Sequence, residues 1–327
     1  MTPSAPMSLR TPEGAPLYGH DAILERLTAH LRRERLAHAL LFTGPAGIGK
    51  AAAALAFAAT IFCTNEPDAP CGECAGCRQV AAGTHPDLVT VALPSGKKEI
   101  GIDAIRRLKQ AMQLRAVSGK RKVAIIDDAD RLSLAAQNAL LKTLEEPPPR
   151  SQLILVTPSP GALLPTVRSR CQRVLFQPLD PEAVAAVLSG QAGIGPDEVR
   201  SLAANADGSP GRALRLRALF ASDERETWER ILADLQPDQY VSVVSFSKAL
   251  GRGEHTLESR LEWLLSFYGH AAAEAAAKTA RGERPALDTA RAARRGEVVL
   301  EALQILRRRN PNRPLLMEAL GLRLART

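Results

Sequence analysis

A chain of 327 residues is long enough for two or three domains, and 45% hydrophobic with 24% charged residues is an ordinary globular balance. Aromatics make up only 4%, so the core is built mostly from Leu, Ala, Val and Ile, and no run of about 18 uncharged apolar residues exists to cross a membrane as a helix. The net charge of +8 is compatible with nucleic acid, but the basic clusters at residues 32–35, 120–122 and 307–309 have no interleaved aromatics. They make no base-stacking platform and read most simply as a solvated basic surface.

Residues 1–16 are rich in Pro, Ser and Thr and lack an apolar signal core, so a disordered leader and a cytoplasmic protein are expected. Residues 17–36 show helical spacing, with Ile23, Leu24, Leu27 and Leu31 on one face. A buried strand is expected at 39–42, ending at Gly44, and an Ala-rich helix at 51–63. After a cysteine-bearing loop come a strand at 87–92, an amphipathic helix at 102–114 and a strand at 123–126 ended by acidic residues. The helix expected at 135–144 is stopped by Pro147, Pro148 and Pro149, which lack the N–H and obstruct the turn. A strand at 153–156, a helix-and-turn segment at 162–168 and a strand at 173–176 follow. Strands alternating with helices imply a parallel sheet covered on both faces. After Pro178 strand signals fade: residues 181–222 read as short helices with a turn at 208–211, and 226–327 as helices broken near 251–253 and 310–314.

Gly44-Pro45-Ala46-Gly47-Ile48-Gly49-Lys50-Ala51 matches the phosphate-binding pattern G-x-x-x-x-G-K without its final Ser or Thr. A strand before it and a helix after it are the context such a loop needs. Glycines turn backbone N–H groups toward phosphate oxygens, the helix N-terminus adds positive potential, and Lys50 reaches the outer phosphates. Ala51 stands where a hydroxyl normally ligates Mg²⁺, and alanine has no oxygen to offer. Asp127 takes the place of a metal-orienting aspartate. Asp128 stands where such ATPases place a glutamate; it is shorter by one methylene, about 1.5 Å, and misplacement on that scale costs on the order of 10²-fold. Lys50 and the glycines keep ATP binding open, while Ala51 and Asp128 argue against efficient hydrolysis.

Cys63, Cys71, Cys74 and Cys77 carry two successive C-x-x-C steps. In a chain without an export signal such a cluster favours metal over disulfides. Four thiolates at about 2.3 Å suit a closed, structural Zn²⁺ site. An iron–sulfur cluster or unmetallated thiols are the alternatives. His85 lies close by but reads as a loop residue, because four cysteines complete the shell.

Several segments together resemble the AAA+ subunits of the bacterial DNA polymerase III clamp loader. They are residues 38–44 (His-Ala-Leu-Leu-Phe-Thr-Gly), the cysteine cluster, residues 83–87 (Gly-Thr-His-Pro-Asp), residues 138–148 (Asn-Ala-Leu-Leu-Lys-Thr-Leu-Glu-Glu-Pro-Pro) and residues 168–171 (Arg-Ser-Arg-Cys). The resemblance runs over residues 17–176. It implies an α/β fold: an AAA+ P-loop domain with a parallel sheet at 17–178, holding an inserted zinc module at 63–77. A small helical lid at 179–225 and an all-α C-terminal collar domain at 226–327 for oligomerisation would follow. It further implies that Ser169-Arg170-Cys171 supplies an arginine finger to a neighbouring subunit's ATP, and that Thr157 is the first nucleotide sensor. The second sensor arginine would fall at Gly211, with Arg212 one residue later. The implied assembly is a five-subunit ring with the motor subunits and the delta subunit, which opens the sliding clamp and loads it on primer-template DNA. The chain's length, Ala51 and Asp128 favour the member that serves as a non-hydrolysing stator. An ATP-hydrolysing motor subunit is the alternative, and a DNA-binding ATPase outside replication a weaker third, against which residues 138–148 count.

Overall fold

The computed structural model describes residues 17–65, 70–118, 120–191, 193–220, 224–236, 239–251, 257–281, 288–308 and 311–327. The leader expected over residues 1–16 lies outside these, as do residues 252–253 and 310 of the expected helix breaks. The chain divides into two compact units, Met1–Arg212 and Ala213–Thr327.

In the first unit the order is α1 (Asp21–Arg32), β1 (Ala39–Thr43), α2 (Lys50–Phe62), α3 (Ala75–Ala81), β2 (Leu88–Val91), α4 (Ile102–Gln113), β3 (Lys122–Ile126), α5 (Leu134–Glu145), β4 (Ser151–Thr157), α6 (Pro165–Arg168) and β5 (Gln172–Leu175). Helices α7 (Pro181–Ser189), α8 (Pro196–Asn205) and α9 (Pro210–Phe220) follow, α9 running on across the division. The strands form one sheet of order β2-β3-β4-β1-β5, parallel throughout.

Residues of β1, β3 and β4 are buried along their whole length, which is why residues 39–42, 123–126 and 153–156 within them read as continuous apolar runs. Their side chains alternate between two cores, as the two-residue period of a strand requires. Leu40, Phe42, Val123, Ile125, Ile154 and Val156 pack with α1, α2 and α3. Ala39, Leu41, Ala124, Ile126, Leu153 and Leu155 pack with α4 and α5. Helix α2 buries Ala53, Ala54, Ala56, Ala58 and Ala59 completely, so it has no polar face. Ser133 caps α5 by accepting from the Ala136 N–H at 3.3 Å. That helix ends at Glu145 because Glu146 precedes Pro147 and takes a non-helical φ of −126° and ψ of 74°.

The second unit is helical: α10 (Glu224–Ala233), α11 (Tyr240–Gly251), α12 (Leu257–Ala280), α13 (Thr289–Arg308) and α14 (Arg313–Arg326). Trp228, Phe246, Trp263 and Tyr268 fill its core with Val299 and Leu324.

Every expected strand is present, with ends displaced by one or two residues. Three expectations are corrected. The cysteines are not confined to a loop: Cys74 caps α3 and Cys77 lies in its first turn. Gly211 is not in a turn, because Pro210 already opens α9. The long C-terminal helical stretch is also divided between Ala280 and Thr289.

Candidate functional site

The P-loop leaves the C-terminal end of β1 and enters α2 at Gly49, whose φ of 97° is left-handed. Five consecutive carbonyls of the loop are held by donors. Lys50 Nζ donates to Gly44 O at 2.8 Å and Pro45 O at 2.6 Å. Ser209 Oγ donates to Ala46 O at 2.8 Å and the Gly211 N–H to Gly47 O at 2.9 Å. Buried His20 donates from Nε2 to Ile48 O at 2.6 Å. The contact with the start of α9 is backbone on backbone: a Cβ at Gly211 would lie 2.8 Å from Gly47 Cα. Burial lowers the pKa of Lys50 despite Asp127, Asp130 and Asp128 nearby. Its ammonium is folded into its own loop, and reaching a phosphate requires it to exchange those carbonyls. Ala51 follows in the first turn of α2 with no oxygen to add.

The acidic pair sits at the C-terminal end of β3. Asp127 Oδ1 accepts from the Asp128 N–H at 2.9 Å, and Asp128 has a left-handed φ of 49°. Burial raises the Asp128 pKa, and Asp127 and Asp130 raise it further. Thr157, at the end of β4, donates from Oγ1 to Asp130 at 2.8 Å and accepts from the Ser159 N–H at 2.9 Å. The structure thus gathers Gly44, Gly47, Gly49, Lys50, Asp127, Asp128 and Thr157 at one edge of the sheet. It adds Asp130, His20 and Ser209, which the sequence reading did not single out. Arg212, beside Gly211, is ion-paired to Asp207.

The cysteine cluster joins the end of α2 to the start of α3. The sulfurs of Cys63, Cys71, Cys74 and Cys77 all lie within 4.8 Å of one another. Two of the separations are 3.9 Å (Cys63–Cys74) and 4.0 Å (Cys71–Cys77). A tetrahedral ion with ligands at about 2.3 Å sets its sulfurs about 3.8 Å apart, so the four thiols fit a single Zn²⁺. The Cys74 and Cys77 N–H groups donate to the sulfurs of Cys71 and Cys74 at 3.3 and 3.4 Å. Burial opposes ionisation of both Cys74 and Cys77. Donors from Cys77 and Thr64 still bring Cys74 down to about 5, while Cys77, beside Cys74 and Cys63, is pushed up. A cation among the sulfurs is what allows all four to ionise together. His85 lies outside this group: its ring stacks on Phe62 at 3.7 Å, and Nδ1 accepts from the Asp87 N–H.

The Lys120–Lys122 segment is not a solvated patch. Lys122 is buried, and Lys120 Nζ donates to Cys63 O.

Ser169 and Arg170 lie at the other end of the sheet. Arg170 precedes Gln172, whose partner in β1 is Leu40, whereas the P-loop begins after Thr43, paired with Leu175. Three residue steps of parallel strand, about 10 Å, separate these two registers. Arg170 is ion-paired to Glu145 at 2.8 Å, and its Nη1 donates to Thr166 O at 3.0 Å. Ser169 Oγ donates to the same carbonyl at 3.2 Å.

A parallel sheet of this order, with a P-loop after β1, paired aspartates after β3 and a polar residue closing β4, defines an AAA+ P-loop protein. A family model described as DNA polymerase III, delta subunit, matches residues 19–180. DNA polymerase III subunit delta' of Escherichia coli is 36% identical over 244 residues, covering 73% of this chain and 71% of that protein. The chain belongs to the delta-prime family of DNA polymerase III clamp-loader subunits. The delta' subunit of Pseudomonas aeruginosa is 39% identical over 198 residues, 59% of this chain and 60% of that protein. The tau subunit of Bacillus subtilis is 38% identical over 167 residues, 51% of this chain but 29% of that protein. No helix among the described residues is long and apolar enough to cross a membrane.

Proposed function

We propose that this chain is a non-hydrolysing stator of a cytoplasmic clamp loader, which lends Arg170 to the ATP of a neighbouring motor subunit. The observation that carries this reading is the placement of Arg170 and the P-loop at opposite ends of one sheet. An arginine at the N-terminal edge cannot serve a phosphate at the C-terminal edge of its own chain, so a phosphate it serves belongs to another subunit. The chain's own site supports the same division of labour: Ala51 lacks the metal-binding hydroxyl, Asp128 is short, Gly211 replaces the second sensor, and Lys50 is engaged by loop carbonyls. In a phosphoryl-transfer transition state a guanidinium stabilises the charge on the γ-phosphate oxygens.

In this reading residues 17–178, 179–225 and 226–327 act as P-loop domain, lid and collar. The collar joins the motor subunits and the delta subunit in a five-membered ring, which opens the sliding clamp and sets it on primer-template DNA. Zn²⁺ on Cys63, Cys71, Cys74 and Cys77 is structural. The intact glycines and Lys50 leave the loop able to bind ATP, and any ATP it binds is not turned over.

The test is single-turnover hydrolysis and clamp loading in rings carrying Arg170, Arg170→Ala or Arg170→Lys. The expected loss at the one served site on Arg170→Ala is roughly 10³–10⁵-fold. Lysine rescues poorly because an ammonium cannot present the planar fork. Equal rates in the three rings reduce Arg170 to a surface residue.

A further inference from the structure

We infer that Glu145 is the positioning residue for Arg170: its carboxylate and the Thr166 carbonyl together hold the guanidinium ready for a neighbouring subunit's phosphate. The inference rests on the reading of Arg170 as a finger given above, and it names how the finger is aimed.

Arg170 Nη2 lies 2.8 Å from Glu145 Oε1, and Nη1 donates to Thr166 O at 3.0 Å. The two anchors come from different elements, the end of α5 and the body of α6. Two attachments at separate nitrogens fix the plane of a flat group as well as its position. They use two of the five N–H donors of a guanidinium and leave three for an incoming anion.

The backbone that carries each partner is held. Glu145 is the last residue of α5, stopped there by the proline run, and the Arg170 N–H is tied to Val167 O at 3.2 Å. A carboxylate at a helix C-terminus faces the negative end of the dipole, so Glu145 is locally unfavourable without a cation beside it. The Arg170 and Glu145 side chains are 36% and 50% exposed, and a pair so exposed contributes little to folding. What it contributes is geometry. A free arginine has to lose most of its rotamer freedom when it meets the phosphate, whereas a held one has lost it beforehand. A misplacement of about 1 Å is worth up to roughly 10²-fold in rate.

The experiment uses assembled rings and single-turnover ATP hydrolysis at saturating and sub-saturating ATP, with Glu145→Ala, Glu145→Gln, Arg170→Ala and the double variant Glu145→Ala/Arg170→Ala. Glu145→Ala should slow the served site roughly 10- to 10²-fold with the ring's ATP affinity unchanged. Glu145→Gln should fall between, because its amide oxygen still accepts. In the Arg170→Ala background Glu145→Ala should add nothing. If Arg170→Ala is slow and Glu145→Ala runs at the unmodified rate, the finger stands and the positioning role is overturned. Losses that add in the double variant overturn it as well, since Glu145 then acts without Arg170. If Arg170→Ala itself is unimpaired, the finger reading fails and this role falls with it.

Discussion

Asp87 and Lys122 form a buried ion pair at 3.0 Å, their side chains 0% and 7% exposed. The Asp87 carboxylate also accepts from the Val117 and Ser118 N–H groups at 2.8 and 2.7 Å. Lys122 further donates to Pro86 O at 3.1 Å. Burial alone would push the Asp87 carboxyl up, but these donors hold it well below the usual carboxylate range.

Removing Asp87 therefore strands a buried ammonium and two backbone donors. Asp87→Ala should destabilise the first unit by about 3–5 kcal/mol, read from urea unfolding. The sign with pH follows from the lowered value. The stabilisation is fully present above the unfolded carboxyl range near pH 4 and is lost as pH falls below it toward the folded value. Asp87→Asn should flatten the acid limb of the stability curve below about pH 4. An unchanged limb would place acid sensitivity in other groups.

Gly47 and Gly211 allow the P-loop and the start of α9 to meet backbone to backbone. A Cβ at Gly211 would sit 2.8 Å from Gly47 Cα and 3.1 Å from Gly47 O, neither of which is the movable end of a side chain. Gly211→Ala should cost about 1–3 kcal/mol, as overpacking does. In a unit of this size that is a fall in Tm of several degrees, at about 2–4 °C per kcal/mol. A Tm within one degree of the unmodified protein would show that the contact gives way freely.

The four-cysteine cluster should hold one Zn²⁺ per chain after purification without added metal, measured by elemental analysis. Zinc bound to four thiolates competes with protons, so release should increase on acidification. Cys77→Ser should lower zinc content and loosen residues 63–77 in hydrogen exchange, with the sheet still folded. Sub-stoichiometric zinc together with four titratable thiols would overturn the site, and iron in place of zinc would assign it to the other metal class.

The isolated chain should not hydrolyse ATP measurably with Mg²⁺. Ala51→Thr restores a metal-binding hydroxyl and Asp128→Glu restores reach, so the double variant should bind Mg²⁺–ATP more tightly than the unmodified chain. Its turnover still waits on a neighbour's arginine. Turnover near ~1 s⁻¹ by the unmodified chain would rule out the stator.

Much of the first unit could be read from the amino acids alone. Runs such as residues 39–42 and 153–156 are apolar at every position because both faces of a central strand are covered, and that pattern survives in one dimension. The P-loop glycines, the paired aspartates, the C-x-x-C steps and the proline stop after Glu145 are local signals too, each requiring its residue types within a few positions. Ser169 and Arg170 are singled out only through resemblance, since nothing local distinguishes a finger from a surface arginine.

What the tertiary structure decided lies in contacts between residues far apart in the chain. The fold brings Thr157 to Asp130 and His20 to the Ile48 carbonyl, and it sets Glu145 against Arg170. The bend of Lys50 onto Gly44 and Pro45 depends on torsions that the motif does not specify. Lys122 looked like part of a basic surface because burial of a charge depends on whether a carboxylate reaches it, and Asp87 does so from a strand away. Sequence spacing registers neighbours along one helix or strand. Pairings between separate elements depend on how the sheet orders them, and only the folded chain shows that order.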